Sequence, residues 1–378
     1  KVVVIMENEP VSPSGTFYVN GNQEKSKWSG PLSWKQKVNL ALAKGAKYVI
    51  IISEKKIADF EKGLRQRNVM SKRLNYLSMK PVEETLDNRA AFEVSADVAA
   101  QLLNTSAKNL FKLKTKIARK GQAAAINHPT SSISIKAERV TEKIETENVA
   151  GLLEGSDKKE EVLVITSHLD HIGISPNGEI NNGADDDGSG TVSVLELAEA
   201  FSKAKADGHG PRRSILFMTV TGEEKGLFGS EHYAETPLLP LKNTIANLNI
   251  DMIGRVDKEH ENDPNYVYLI GSDKLSSELH AVSEAANKKH INYKLDYTFN
   301  DPKDPNRFYY RSDHYNFAKK GIPVIFYFTG VHEDYHQPGD DVEKILFAKQ
   351  VPIVKLIFHT AWDLVNQENR IKVDSNKP

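Results

Sequence analysis

Four segments of the chain are apolar almost throughout: EVLVITSH (161–168), SILFMTV (214–220), TIANLNID (244–251) and IPVIFYF (322–328). Runs of this length, without strict polar alternation, fit strands buried on both faces of a sheet. Between and after them, apolar residues recur every three or four positions at Ser189–Ala204, Lys274–Lys289 and Val351–Asn366, which is helical spacing. Two less apolar stretches, SISIKAERVTEKI (132–144) and ENVAGLLEG (147–155), read as antiparallel strands. Strand–helix alternation of this kind predicts an α/β domain over 132–378, a mixed, largely parallel sheet flanked by helices.

The first third has a different texture. KVVVIM (1–6) reads as a short buried strand, and NEPVSPSGTFYVNGN (8–22) as loop and hairpin. WKQKVNLALA (34–43) has helical spacing with Gly45 as a stop, and a strand follows at Tyr48–Ile52. Two more helical patterns lie within 97–121. This segment is expected to form a smaller, β-rich domain over residues 1–131.

A length of 378 residues suits about two domains. Lys plus Arg total 50 against 51 Asp plus Glu, so nothing sequence-wide points to nucleic acid or an anionic membrane as partner. The lysines at 112, 114, 116 and 120, with Arg119, read as a solvated helix face in that neutral context. No stretch approaches the ~18 apolar residues of a membrane span, and KVVVIM lacks the layout of a signal peptide. The chain has no cysteine. Disulfides and thiolate zinc sites are therefore excluded, and any metal must be held by His, Asp and Glu.

The stretch NNGADDDGSGTVSVLELAEAF (181–201) fits two metal sites. Counted from Asp185, it has the oxygen ligands, glycine and glutamate (Glu196) of an EF-hand calcium loop. The residues ahead of it, GISPNGEINNGA, cannot form the entering helix that such a loop needs. The other reading is a lone aspartate bridging two zinc ions. The bland alternative is that Asp185–Asp187 only cap the helix that follows.

The neighbouring segments decide between these readings. Predicted strands end in His168 and, two residues on, Asp170; in Glu223 and Glu224; in Asp251; and in the loop bearing His336. Functional groups of open α/β sheets gather beyond the carboxyl ends of the strands. Any one of them has an ordinary explanation, though a carboxylate at Asp251 within NIDMI is costly unless paired or metal-bound. Together they form a site.

HLD, GADDDGSG, GEEKGLFGS, DMIGR and YHQPGDD, in this order, resemble the dizinc aminopeptidase family, which also includes glutamate carboxypeptidase and glutaminyl cyclase. The resemblance covers about 132–370. KVVVIM and KGAKYVIII make the first 130 residues look like a protease-associated domain, ahead of which such relatives carry a helical segment. The resemblance implies two Zn2+ per chain, a peptide substrate and an extracytoplasmic (periplasmic or secreted) setting. It makes Asp186 the bridging ligand, with His168 and Asp251 at one ion and Glu224 and His336 at the other. Asp187 would follow through a cis peptide bond, Asp170 would fix the His168 tautomer, and Glu223 would be the general base. Two zinc ions would acidify a shared water and polarise the scissile carbonyl.

Tyr335 and Tyr309 are alternative donors to the developing oxyanion. Arg311 and Arg255 are the arginines that could clamp a terminal carboxylate. An aminopeptidase is the expected activity. A carboxypeptidase-like enzyme, a glutaminyl cyclase and a receptor-like binding module are the alternatives.

Overall fold

A computed structural model describes residues 2–29, 33–73, 90–122, 143–175 and 177–375, with Met79 and Ser134. The chain divides into two compact units, Lys1–Glu142 and Lys143–Pro378. The boundary expected after residue 131 lies outside the described residues. The strand expected across 132–144 lies outside the described residues, apart from Ser134, Lys143 and Ile144.

The N-terminal unit pairs β1 (Val2–Met6), β2 (Tyr48–Ile52) and β3 (Ala91–Val94) in one parallel sheet of order β1-β2-β3. Among the described residues four helices accompany it: α1 (Ser33–Ala43), α2 (Ile57–Arg73), α3 (Ala96–Leu102) and α4 (Ala107–Lys120). Its described part is therefore α/β, not β-rich. Parallel pairing requires crossovers, and helices supply them. Ser95 and Ser106 cap α3 and α4 by accepting the Val98 and Asn109 N–H groups, the polar signal that separates two helices in one lysine-rich stretch. Lys112, Lys116, Arg119 and Lys120 are solvent-exposed, and Lys114 pairs with Glu54.

The C-terminal unit contains a seven-stranded sheet of order β4-β6-β5-β7-β10-β8-β9. Its strands are β4 (Val149–Leu153), β5 (Lys158–His168), β6 (Arg213–Val220), β7 (Thr244–Ile250), β8 (Tyr266–Ile270), β9 (Lys294–Asp296) and β10 (Val324–Phe328). The centre, β6-β5-β7-β10, is parallel, while β4 and β8 run antiparallel to β6 and β10. Leu163 and Ile165 of β5 enter one core, with α5 (Gly190–Ala206), α7 (Ser277–His290) and α9 (Phe347–Asn366). Val162 and Val164 enter the other, with α6 (Phe228–Glu235) and α8 (His314–Ala318). Burial on both faces is why the run reads as continuously apolar.

The sequence pattern omits α2, β3, α6, α8, β8 and β9, and misplaces two helix starts. α7 begins at Ser277, where Ser276 accepts the Leu279 N–H. α9 begins at Phe347, one turn before Pro352; a proline this near a helix start forfeits a single ladder bond. Among the described residues no helix is long and apolar enough to cross a membrane.

Candidate metal centre

The triplet lies between β5 and α5, in a turn whose Asp186–Asp187 peptide bond is cis, as expected. Its outer aspartates are occupied by the main chain. Asp187 Oδ2 accepts the His168 N–H at 3.0 Å, and Oδ1 accepts those of Gly190 at 2.9 Å and Met252 at 3.2 Å. Asp185 Oδ1 accepts the Gly254 N–H at 2.6 Å, and Oδ2 lies 3.2 Å from His332 Nε2. Asp340 accepts the N–H groups of both Asp185 and Asp186. The capping alternative therefore describes Asp187, which binds the first turn of α5, but not Asp186. The calcium reading fails, because Glu196 is solvent-exposed on α5 and a strand precedes the loop.

Asp186 places one oxygen on each side. Oδ1 is 3.2 Å from His168 Nε2, and Oδ2 is 3.2 Å from His336 Nε2. On the first side, Asp251 Oδ1 is 3.6 Å from His168 Nε2. On the second, Glu224 Oε2 is 3.2 Å from His336 Nε2. Donor atoms of His168, Glu223 and Asp251 lie within 4.8 Å of one another, as do those of His171, Asp186 and Glu224. β5 ends at His168 and β7 stops one residue before Asp251; Glu223 and Glu224 follow β6, and His336 follows β10. The candidate ligand groups thus collect at the carboxyl ends of parallel strands.

Four carboxylates, those of Asp186, Asp251, Glu223 and Glu224, face this one small space. Burial alone disfavours a charged His168, but the Asp251 and Asp186 carboxylates outweigh it and hold its pKa well above the usual imidazole value. Burial likewise opposes a charged His336, yet Asp186 and Glu224 raise it to about 9. Burial pushes the Glu223 carboxyl up, and the negative charge of Asp251 adds to the effect. Such a cluster is stable only with positive charge at its centre. His168 Nε2, Asp186 Oδ2 and Glu224 Oε1 are buried without a hydrogen-bond partner. Imidazole and carboxylate donors with open lone pairs fit zinc.

Supporting contacts differ in part from expectation. His168 Nδ1 is 2.9 Å from the main-chain carbonyl of Asp170, whereas the nearer Asp170 carboxylate oxygen is 3.9 Å away. That carboxylate instead accepts the Glu223 N–H at 3.1 Å. The residue fixes the His168 ring through its backbone and the Glu223 turn through its side chain. Tyr335 lines the cavity over the site, stacks on His336 with ring centroids 3.9 Å apart, and accepts from Arg311 Nη2 at 3.3 Å. Tyr309 is not among the lining residues; it packs beside Tyr310 and Tyr315, with the Lys274 ammonium 4.8 Å from its ring. Arg311 lines the cavity too, whereas Arg255 pairs with Glu333 and Asp334.

Sequence reasoning missed His171, Ser312 and the polar chain behind Asp251. Ser312 Oγ donates to Asp251 Oδ2 at 2.6 Å and accepts from Asn249 Nδ2 at 2.8 Å, and Thr166 Oγ1 donates to Asn249 Oδ1 at 2.6 Å. The available signal was polar side chains at Thr166 and Asn249 inside otherwise apolar strands.

A sequence model described as Peptidase family M28 matches residues 148–360, more than half of the chain. The chain belongs to that family. The match spans the triplet, Glu223 and all five ligand candidates, and it leaves the N-terminal unit outside. Among M28-like relatives, Aminopeptidase YwaD of Bacillus subtilis is 27% identical over 236 residues, covering 60% of this chain and 46% of that protein. A probable leucine aminopeptidase of Arthroderma otae is 29% identical over 237 residues, covering 61% and 60%. A probable zinc metalloprotease of Pyrenophora tritici-repentis is 26% identical over 343 residues, covering 76% and 67%. The chain therefore spans about half to two thirds of the length of these relatives. An aminopeptidase structure from Aneurinibacillus sp. strain AM-1 aligns with a TM-score of 0.49 at 20% identity, over 100% of this chain and 77% of that one.

Proposed function

We propose that this M28 chain is a zinc-dependent exopeptidase that removes N-terminal residues from peptides. The observation that carries the reading is the Asp186 carboxylate set between two imidazoles, 3.2 Å from each. His168, Asp251 and Asp186 would hold one zinc ion, and Glu224, His336 and Asp186 the other. Ions bound there supply a Lewis acid for the scissile carbonyl and a water acidic enough to lose its proton near neutral pH. Glu223 accepts that proton at its carboxylate and delivers it to the nitrogen of the departing amine. Tyr335 lines the cavity wall, which supports its hydroxyl as the donor to a developing oxyanion. The polarity follows from charge. A free α-ammonium pairs favourably with carboxylate oxygens at the edge of the site, and a lone Arg311 is a thin clamp for a terminal carboxylate.

Arg311 is nevertheless on the cavity wall, so a carboxypeptidase is the second reading. Leucyl- or alanyl-nitroanilide should be cleaved and their N-acetyl forms should not. Release of C-terminal residues from N-blocked peptides at equal or greater rates overturns the first reading in favour of the second. The N-terminal unit is proposed as a protease-associated module, and an extracytoplasmic setting accompanies the activity. Removal of bound zinc by a chelator should abolish hydrolysis, and added zinc should restore it.

A further inference from the structure

We infer that His171 is an additional metal ligand, and that it makes the Glu224 side of the centre the tighter of the two sites; this rests on the binuclear reading above. His171 lies in the loop after β5, three residues beyond His168. Its side chain is 10% exposed. Nδ1 lies 3.0 Å from Glu224 Oε1 and 3.8 Å from Asp186 Oδ2. Neither ring nitrogen makes a hydrogen bond. The Glu224 oxygen is at ion-pair distance but off hydrogen-bond geometry, an arrangement that suits two groups sharing a cation better than two sharing a proton. As a ligand the ring is accounted for.

The ring has a seat built for it. Gly183 adopts φ +67, and a Cβ there would fall 2.6 Å from His171 Cγ. The His336 ring lies edge-on to it, with centroids 5.8 Å apart. The two histidines thus approach the Glu224–Asp186 pair from different directions.

The consequence is asymmetry. One side would offer His171, His336, Glu224 and the shared Asp186, four protein groups that complete a tetrahedral zinc shell. The other offers His168, Asp251 and Asp186, three groups. Closed shells characterise retained zinc, and three-ligand shells keep a position open for water or substrate. Of these residues Asp251, Asp186 and His336 line the cavity, while His168, His171 and Glu224 lie behind them.

The test is titration of the metal-free full chain with zinc chloride against a chromophoric chelator. The wild type should show two sites of unequal affinity. His171→Ala should weaken the tighter one by about 10–100-fold or more, the range seen even for residues one shell further out. His171→Asp, which restores an oxygen ligand, should recover much of that loss. The stabilisation that zinc adds, the difference between zinc-loaded and metal-free melting, should shrink in His171→Ala, since the residue acts through the ion. His171→Asn gives the same comparison should the alanine variant not fold. Zinc-binding curves of His171→Ala and His171→Asn that superimpose on the wild type overturn this inference and leave the binuclear reading standing. A wild type without zinc affinity overturns both.

Discussion

Replacing Glu223 by glutamine separates the proposed base from the proposed ligands without disturbing the turn that holds them. The main-chain N–H of Glu223 is fixed by the Asp170 carboxylate at 3.1 Å, and among the described contacts the Glu223 side chain donates or accepts no hydrogen bond. Glutamine has the same shape and lacks the negative charge that burial already disfavours. The substitution should therefore leave folding stability within about 1 kcal/mol of the wild type. It should also leave zinc content unchanged, because the five other groups remain. Catalysis should respond differently. Proton transfer by a positioned carboxylate contributes about 10²–10⁴-fold, or roughly 2.7–5.5 kcal/mol at 1.36 kcal/mol per decade. That loss should appear in kcat, with KM little changed. The assay is leucyl-nitroanilide hydrolysis with parallel zinc analysis of the same preparation. Turnover within tenfold of wild type, or loss of a zinc ion, refutes the assignment of Glu223 as base.

Asp186→Ala should empty the His168–Asp251 side and weaken the other, because both lose an oxygen; full zinc occupancy measured by elemental analysis would contradict this. Ser312→Ala removes the donor to Asp251 and strands Asn249 Nδ2, so it should cost about 1–3 kcal/mol and weaken zinc binding about 10–100-fold, read by denaturant melts and zinc titration. Gly190→Ala places a Cβ 2.3 Å from Asp187 Oδ1 and 2.5 Å from the Ile250 carbonyl; about 1–3 kcal/mol of overpacking cost is expected, with zinc affinity falling alongside, and an unchanged melting temperature would mean that the turn relaxes freely.

The sheet centre was legible because β5, β6, β7 and β10 are buried on both sides and so read as unbroken apolar runs. β8 (YVYLI) is equally buried, at 0–2% exposure, yet an apolar run of five residues does not by itself fix a strand. β9 is three residues long and had no signal at all. The candidate ligands, which the fold brings together, were legible through strand-end position and motif order, since carboxylates and histidines at those places need a reason. His171 was not, because a histidine in a loop is ordinary until its burial and neighbours are seen. Tyr335 and Tyr309 could not be told apart by spacing: whether an aromatic faces a cavity or a neighbour depends on packing between segments far apart in the chain.

The triplet shows why a run of three aspartates is required where one ligand suffices. A lone Asp186 on a flexible turn could pair with either imidazole, or with a passing lysine. Its neighbours remove that freedom, Asp187 by accepting N–H groups from β5, from α5 and from the segment after β7, and Asp185 by accepting that of Gly254. These bonds tie the turn to the strand end carrying His168 and to the segment carrying Asp251, so the three groups of the first site are positioned by one network. Asp340, four residues after His336, accepts the N–H groups of Asp185 and Asp186, which brings the second side into the same network. Charged acceptors are suited to the task, since a hydrogen bond to a carboxylate contributes about 1.5–3 kcal/mol against about 1 for a neutral pair. The cost is additional buried negative charge next to the four carboxylates of the candidate site. Cations bound at the proposed centre would offset that charge, so the same residues that shape the site would also tie the stability of the fold to metal binding.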